Sequence, residues 1–365
     1  MANMKQNTAR NRILNFMMNQ GNTSKVELAK QLNLSMPTVL SNVNELMEKG
    51  LIIEIGEMES TGGRKAALLG LDKNFRNAVG VNITANHVAM VLVNFSGEIV
   101  KQNRVRLKFE PDVTYSSRLS EEILCFCENI GEREKILGVG ISMPGVIHEK
   151  ERVLVKSHAL QLENYSLKMI EQMIALPVYF ENDANAAMLA ENTQKLGNAV
   201  YLSLNHTLGG AVCINGRLFS GQNRKAGEVG HMLLVPGGRQ CYCGKCGCAD
   251  AYCAASVLTQ NGSEPLAAFM EKVGKDEHAS KVWDAYLEHL AILISNIRMV
   301  FDTDIILGGE VGGYLPEYML ELGKKIFQYN FFDGDLSYLK NCTYRKEASA
   351  IGAAKHFFEE FIKNI

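Results

Sequence analysis

The chain lacks what secreted and membrane-spanning proteins need. Its start, Met1 to Arg12, is polar and basic with no apolar stretch behind it, so no secretory signal is expected. No uninterrupted apolar run is long enough to span a bilayer, and no low-complexity segment or short-period repeat is present. An excess of one charge sign is nearly absent: 38 Lys and Arg against 40 Asp and Glu leave −2, so any hold on nucleic acid must come from a local patch. Such a patch exists, because through Leu40 the chain carries Lys5, Arg10, Arg12, Lys25 and Lys30 against the single acid Glu27. A disulfide framework is also missing. The nine cysteines are odd in number and four crowd together, which points to a reducing, cytoplasmic compartment and a metal site. At 365 residues and 47% hydrophobic content, two or three domains with their own cores are expected.

What is present is most concentrated between Gly227 and Cys248. Gly227-Glu228-Val229-Gly230-His231 is followed, after a Pro/Gly-rich turn, by Cys241-Tyr242-Cys243-Gly244-Lys245-Cys246-Gly247-Cys248. Soft thiolates, an imidazole and a glycine-rich backbone that can wrap a small ion are the requirements of a closed tetrahedral zinc site. The plainer reading is reduced cysteines packed as small hydrophobes.

Residues 9–72 read as a small helical unit with a hairpin. Ile13, Leu14, Phe16 and Met17 make a first amphipathic helix closed by Gly21. Thr23 or Ser24 caps a second, with Val26, Leu28, Ala29 and Leu32 as its apolar face. Ser35 caps a third, with Pro37 tolerated in the first turn and Val39, Val43, Leu46 and Met47 turned inward. Strands at Leu51–Ile55 and Ala66–Leu71 flank a turn ending in Gly62-Gly63-Arg64-Lys65. This is the winged helix-turn-helix layout, with the third helix, Ser35 to Lys49, in the major groove and the wing on backbone or minor groove. Ser35, Thr38, Ser41, Asn42 and Asn44 are the candidate DNA contacts of the helix, and Arg64 and Lys65 those of the wing. A three-helix unit used only for packing or dimerisation is the competing reading.

From Ala78 onward strands alternate with helices. Val79–Ile83, Val88–Val93, Ile136–Ile141, Val178–Phe180, Ala199–Leu204, Ala211–Ile214 and Ile305–Leu307 read as strands, with Gly209-Gly210 between two of them. Ala184–Glu191, Val282–Phe301 and Ala348–Phe361 read as helices. Strands ending in Gly or Asp and feeding helices indicate open α/β sheets with ligands at the strand ends. The expected division is a head at 1–75, a first α/β lobe at 76–188 onto which 346–365 packs back, and a second lobe with the cysteine loop at 189–345.

These pieces together resemble the ROK family of repressors, open reading frames and sugar kinases. The resemblance rests on Glu181-Asn182-Asp183-Ala184-Asn185-Ala186-Ala187, Gly227 to His231, Cys241 to Cys248, Ile306-Leu307-Gly308-Gly309 and Ala350-Ile351-Gly352-Ala353-Ala354. It covers nearly the whole chain. It implies a fold of two actin-like, hexokinase-like (ribonuclease H-like) α/β lobes behind the winged head, and a structural Zn2+ held by His231, Cys241, Cys243 and Cys248, with Cys246 a bystander. It further implies that Asn182, Asp183, Glu228 and His231 contact a sugar, Asp183 matching the base of the kinases. The last sugar ligand of the family is a Glu two residues after the final cysteine. Here that place holds Asp250, one methylene shorter.

The phosphate-binding stretches depart from the family pattern. Where a kinase has Asp-x-Gly-x-Thr after its opening strand, this chain has Asn82-Ile83-Thr84-Ala85-Asn86. Where it has a loop close to Gly-Thr-Gly-Ile-Gly-Gly-Gly, this chain has Asn205-His206-Thr207-Leu208-Gly209-Gly210-Ala211. Phosphoryl transfer is mostly positioning and electrostatics, so these changes are expected to remove it. The expectation is a dimeric repressor, or a higher homo-oligomer, that reads a palindromic operator and is released by a small sugar such as xylose or N-acetylglucosamine, without catalysis. The alternatives are a sugar kinase with a regulatory head, and a DNA-binding protein whose lobes only recruit another protein.

Overall fold

The computed structural model describes residues 8–58, 66–128, 133–191, 196–260 and 262–365. Three helices open the chain. In α1 (Ala9–Gln20) the Thr8 hydroxyl accepts from Asn11 N–H, and in α2 (Lys25–Gln31) Ser24, one of the two expected caps, accepts from Glu27 N–H. In α3 (Met36–Glu48) Ser35 accepts from Thr38 N–H, with Pro37 in the first turn, where its missing N–H costs nothing. Ile13, Leu14, Met17, Leu28, Val39, Val43 and Leu46 are buried together. Val26 departs from expectation: it is 61% exposed, because the seven-residue α2 turns Leu28 and, in part, Ala29 to the core and leaves Val26 on its outer face. Strands β1 (Ile52–Glu57) and β2 (Ala67–Leu71) pair antiparallel, and a bridge between Thr23 and Leu69 ties the hairpin back to the turn before α2. The expected wing tip with Arg64 and Lys65 lies outside the described residues.

Strands β3 (Asn77–Ile83), β4 (His87–Asn94) and β5 (Ile99–Arg106) form an antiparallel meander. Helix α4 (Val113–Glu128) leads to β6 (Ile136–Met143), which lies parallel to β3. A small three-stranded sheet follows, from β7 (Val146–His148), β8 (Val153–Ser157) and β9 (Leu162–Ser166). Then come α5 (Lys168–Met173), β10 (Val178–Asn182) parallel to β6, and α6 (Asp183–Ala190). The first large sheet thus has the order β10-β6-β3-β4-β5. The second, from β11 (Ala199–Leu204), β12 (Leu208–Ile214), β13 (Arg217–Leu218), β14 (Asp304–Gly308) and β15 (Leu339–Asn341), has the order β13-β12-β11-β14-β15. In each, three antiparallel strands are followed by two parallel ones. The repeated connectivity is the paired-lobe arrangement that the resemblance implied, a duplication that residue patterns alone leave hidden. Strand β12 begins earlier than expected: Gly209 and Gly210 lie inside it, since the register Leu204↔Leu208 leaves only 205–207 to make the turn.

The helix Ala348–Lys363 runs between the first sheet and α6. A Cβ on Gly352 would fall 1.6 Å from the Ala186 carbonyl oxygen, so only glycine lets the two helices approach this closely. That explains the small-residue run Ala350 to Ala354. Phe95 meets Phe75, Phe358 and Phe361 at centroid distances of 5.3–5.9 Å, in the same buried cluster as Ile13, Leu14 and Met17. The head therefore shares a core with the body.

Candidate functional site

A cleft of about 320 Å³ opens where the ends of β6 and β10 face the start of β12. At its floor, Asn182 ends β10 and caps α6: its Oδ1 accepts from Asn185 N–H at 3.0 Å while its Nδ2 donates to the Gly145 carbonyl at 3.0 Å. Asn182 thus takes the cap, and Asp183 keeps its carboxylate on the cleft wall, where Ala184 N–H donates to it at 2.9 Å. Burial holds the Asp183 pKa above the ordinary carboxylate value. Glu228 faces the same space. Its pKa is raised by burial and then by the Asp183 charge, against the pull of Lys225. Asp183 is half-buried and Glu228 is 42% exposed, and two carboxylates on one cleft suit a ligand that brings its own O–H donors.

The side chain of Glu228 lies 3.9 Å from His231 Nε2, and the other ring nitrogen, Nδ1, lies 3.9 Å from Cys241 Sγ. Cys243 and Cys248 sulfurs are 3.7 Å apart, and the ligand atoms of His231, Cys241, Cys243 and Cys248 all lie within 4.8 Å of one another. Sulfurs at the corners of a tetrahedron with bonds of about 2.3 Å stand about 3.8 Å apart, so the donor set and its spacing fit a closed zinc site. Burial pushes the Cys241 thiol up to about 12. Cys246 is exposed and stands outside the cluster. His231 thus belongs to both the cluster and the cleft.

Asp250 stands apart from the other expected sugar contacts. It is buried, and its carboxylate accepts from Leu208 N–H at 2.6 Å; it does not line the cleft, although Leu208 does. The short side chain ends on that amide, and desolvation raises its pKa to about 6. Sequence reading also missed part of the wall. The end of β8 brings Lys156 and His158, and Tyr242 comes from within the cysteine run. The rings of His158, His231 and Tyr242 stand 5.5–6.1 Å apart. Tyr242 was visible as the one aromatic between two cysteines; the unforeseen small sheet that carries His158 left no signal.

The residues at the phosphate-loop positions are engaged with their own protein. Asn82 Oδ1 accepts from Ser142 Oγ at 3.0 Å, and Thr84 closes the β3–β4 turn on His87. Asn205 Oδ1 accepts from Glu310 N–H at 2.9 Å. Arg104 of β5 lies 4.0 Å from Glu310 and 3.7 Å from Glu347. The two remaining glycines have packing reasons. A Cβ on Gly210 would meet Val229 Cγ2 at 2.5 Å and the Gly227 carbonyl at 2.6 Å, and one on Gly209 would meet Ala184 Cβ at 3.1 Å.

On α3, Ser41 and Asn44 are exposed, as are Pro37, Leu40 and Glu48, which gives one outward stripe at helical spacing. Leu40, 41% exposed, was not foreseen as a contact. Thr38 and Asn42 are half-buried on its flank, where Asn42 Nδ2 donates to the Thr38 carbonyl at 2.7 Å. Ser35 is exposed with its hydroxyl given to the cap, and Asn44 Oδ1 accepts from Lys25 Nζ at 3.4 Å. Among the described residues no helix is long and apolar enough to cross a membrane.

Against known proteins, residues 78–360 match the ROK family and residues 6–53 match a winged helix-turn-helix DNA-binding family. The xylose repressor of Caldicellulosiruptor bescii is 26% identical over 344 residues, covering 87% of this chain and 86% of its own length. Among solved structures, a ROK family transcriptional regulator described as a homolog of the E. coli MLC protein aligns with TM-score 0.73 and 21% identity, covering 99% of this chain and 97% of that one. A ROK family glucokinase from Streptomyces griseus, in complex with glucose and AMPPNP, aligns with TM-score 0.65 and 21% identity over 77% of this chain and 98% of that one. At these identities the solved structures speak for the fold.

Proposed function

Since the chain belongs to the ROK family over most of its length, we propose that it is a sugar-responsive DNA-binding transcriptional regulator, a repressor released from its operator when a small sugar enters the cleft. One observation supports the reading: Asp183 and Glu228 both face the cleft, while Asn82 and Asn205, which stand where the resemblance expects phosphate loops, are hydrogen-bonded within the protein. A ligand with O–H donors finds acceptors; a phosphate finds Asn205 bonded to Glu310 N–H and no glycine loop. The sites for the sugar are Asn182, Asp183, Glu228, His231 and Asp250, the last reaching it through a bridging water because its carboxylate is held by Leu208 N–H. Xylose is the first sugar to test, because relatives are named as xylose repressors.

The cluster of His231, Cys241, Cys243 and Cys248 holds a structural zinc in this reading, and four protein ligands leave it no open position for chemistry. The zinc anchors the loop that presents Glu228. Ser35, Thr38, Ser41, Asn42, Asn44, Arg64 and Lys65 contact DNA, and Leu40 joins them with an apolar contact to a thymine methyl group. The chain works in the cytoplasm as a dimer or higher homo-oligomer on a palindromic operator. The head at 1–75, the lobe at 76–188 with 346–365, and the lobe at 189–345 are its working parts. Sugar closing the cleft shifts the heads, and operator affinity falls by a coupling free energy of about 1–3 kcal/mol, roughly 5–150-fold. Fluorescence anisotropy on an operator fragment, with and without xylose, glucose and N-acetylglucosamine, tests this; an affinity that no sugar changes refutes it.

A sugar kinase is the second reading. It is favoured by Asp183, a desolvated carboxylate with raised pKa facing the cleft in the place of the kinase base. A coupled ATPase assay separates the two: turnover that depends on Asp183 would reverse the ranking.

A further inference from the structure

A second cavity, about 550 Å³, lies away from the cleft at the junction of head and body. Asn15 of α1, the β4–β5 turn at Ser96, Arg217 of β13, and Lys355, Glu359 and Lys363 of the last helix face it. It therefore touches the head, both large sheets and the helix that joins them.

Its wall carries three cations, Lys355, Arg217 and Lys363, against two acids, Glu191 and Glu359. Among the described residues, the ammonium of the half-buried Lys355 makes one hydrogen bond, to the Ala190 carbonyl, and sits 5.2 Å over the Tyr344 ring. An ammonium has three N–H donors, so two remain. Desolvation pushes its pKa down to about 8, against the Glu191 and Glu359 charges. The Arg217 guanidinium has no hydrogen bond or ion pair among the described residues. Lys363 is only loosely paired, 3.9 Å from Glu359 and 3.8 Å from Glu360. Of the two acids, Glu191 is already committed: it accepts from the backbone and the hydroxyl of Thr343. His356 stacks on Tyr179 at 3.4 Å and burial holds it neutral, so it supplies a flat face and no charge.

We propose that this junction cavity binds a phosphorylated sugar or polyol, with the phosphate on Lys355, Arg217 and Lys363 and the organic part toward Asn15 of the head. A phosphate monoester brings acceptor oxygens and negative charge to Lys355 and Arg217, which among the described residues make no hydrogen bond to either acid, and the Arg fork takes two of those oxygens at once. The cavity is too large for inorganic phosphate to fill. The ligand couples the head to the body independently of whatever occupies the cleft.

Isothermal titration of the full chain with a hexose 6-phosphate, the same hexose unphosphorylated, and inorganic phosphate tests this. The expected result is saturable one-site binding of the ester, with inorganic phosphate and the free hexose at least about tenfold weaker at this site. Arg217→Ala, on an exposed strand, weakens the ester about tenfold or more, and Lys355→Met does the same where it folds. Asn15→Ala weakens it to a lesser degree, whereas Glu228→Gln in the cleft leaves it unchanged. Loss of binding in Glu228→Gln with Arg217→Ala unaffected would place the ester in the cleft and overturn the proposal. So would equal affinity for inorganic phosphate, or no heat from the ester at millimolar concentration.

Discussion

Exchanging two cysteines three residues apart for serine separates a metal site from a merely cysteine-rich loop. Cys243 belongs to the cluster, with its sulfur 3.7 Å from that of Cys248, whereas Cys246 is exposed and apart from it. Apparent binding free energies of structural zinc run to about 10–16 kcal/mol, so an equal share per ligand is about 2.5–4 kcal/mol. Losing one ligand should therefore weaken zinc by roughly 10²–10³-fold. Full-length wild type and Cys246→Ser should each leave dialysis against a mild chelator with about one zinc per chain, and Cys243→Ser with much less. The loss has structural consequences, because without the metal the loop is held only by packing and hydrogen bonds. These include Leu234 N–H to the Gly247 carbonyl at 2.7 Å and Ala249 N–H to the Met232 carbonyl at 2.8 Å. Zinc at a hundred times its dissociation constant would add about 2.7 kcal/mol, so the first thermal transition of Cys243→Ser should fall by several degrees. Since His231 also stands 3.9 Å from Glu228, the sugar response should weaken in the same variant. Metal content measured by elemental analysis decides the matter. A wild-type chain without zinc, or Cys243→Ser and Cys246→Ser behaving alike, would refute the assignment.

Other expectations are independent of the metal. Glu228→Gln should abolish the thermal shift caused by the effector sugar while leaving sugar-free operator binding intact; an unchanged shift would remove Glu228 from the site. Leu40→Ala should cost about 1–2 kcal/mol of operator affinity with no change in melting temperature, since the side chain is 41% exposed and contributes little to the core. Gly210→Ala forces a Cβ to within 2.6 Å of the Gly227 carbonyl and should destabilise the fold by about 1–3 kcal/mol, read by chemical denaturation; a neutral result would show that the 227–231 loop can yield. Asp333, hydrogen-bonded by Arg298 and Asn330, is held down to about 2. Because its folded pKa is depressed, its stabilisation is present above about pH 4 and lost as pH falls toward 2. Partial exposure discounts this to about 1–2 kcal/mol, so the melting-temperature gap between wild type and Asp333→Asn should close in that window.

The parts of this molecule that sequence revealed are those fixed by neighbours in the chain. Ser24 and Ser35 cap helices because each acts on an amide three residues on, and the buried stripe of α3 follows from its own spacing. The parts it hid depend on distant partners. Whether Asn182 or Asp183 caps α6 is settled by the Gly145 carbonyl, thirty-seven positions away, which takes the Asn182 amide. Strand β5 is mostly exposed and polar at the sheet edge, so it has no apolar alternation to announce it. The sheet of β7 to β9 is equally silent, and with it went His158 and Lys156 of the cleft wall. Asp250 was placed by its position after the last cysteine, yet the nearest strong donor to its short side chain is the Leu208 amide.

The glycines of β12 show how far a motif count can mislead. Two survivors from a phosphate loop look like a remnant of nucleotide binding. In the folded chain the segment 227–231 lies directly against that strand, with a Cβ on Gly230 only 2.1 Å from the Leu208 carbonyl oxygen. Gly210 and Gly227 face each other in the same contact. Glycine is required there because two backbones touch, and that contact presents Glu228 and His231 to the cleft. Where no backbone presses, side chains are present: Asn205 reaches Glu310 N–H, and Asn82 meets Ser142. These glycines are therefore accounted for by the contact that shapes the cleft, and on their own they are no sign of a nucleotide site.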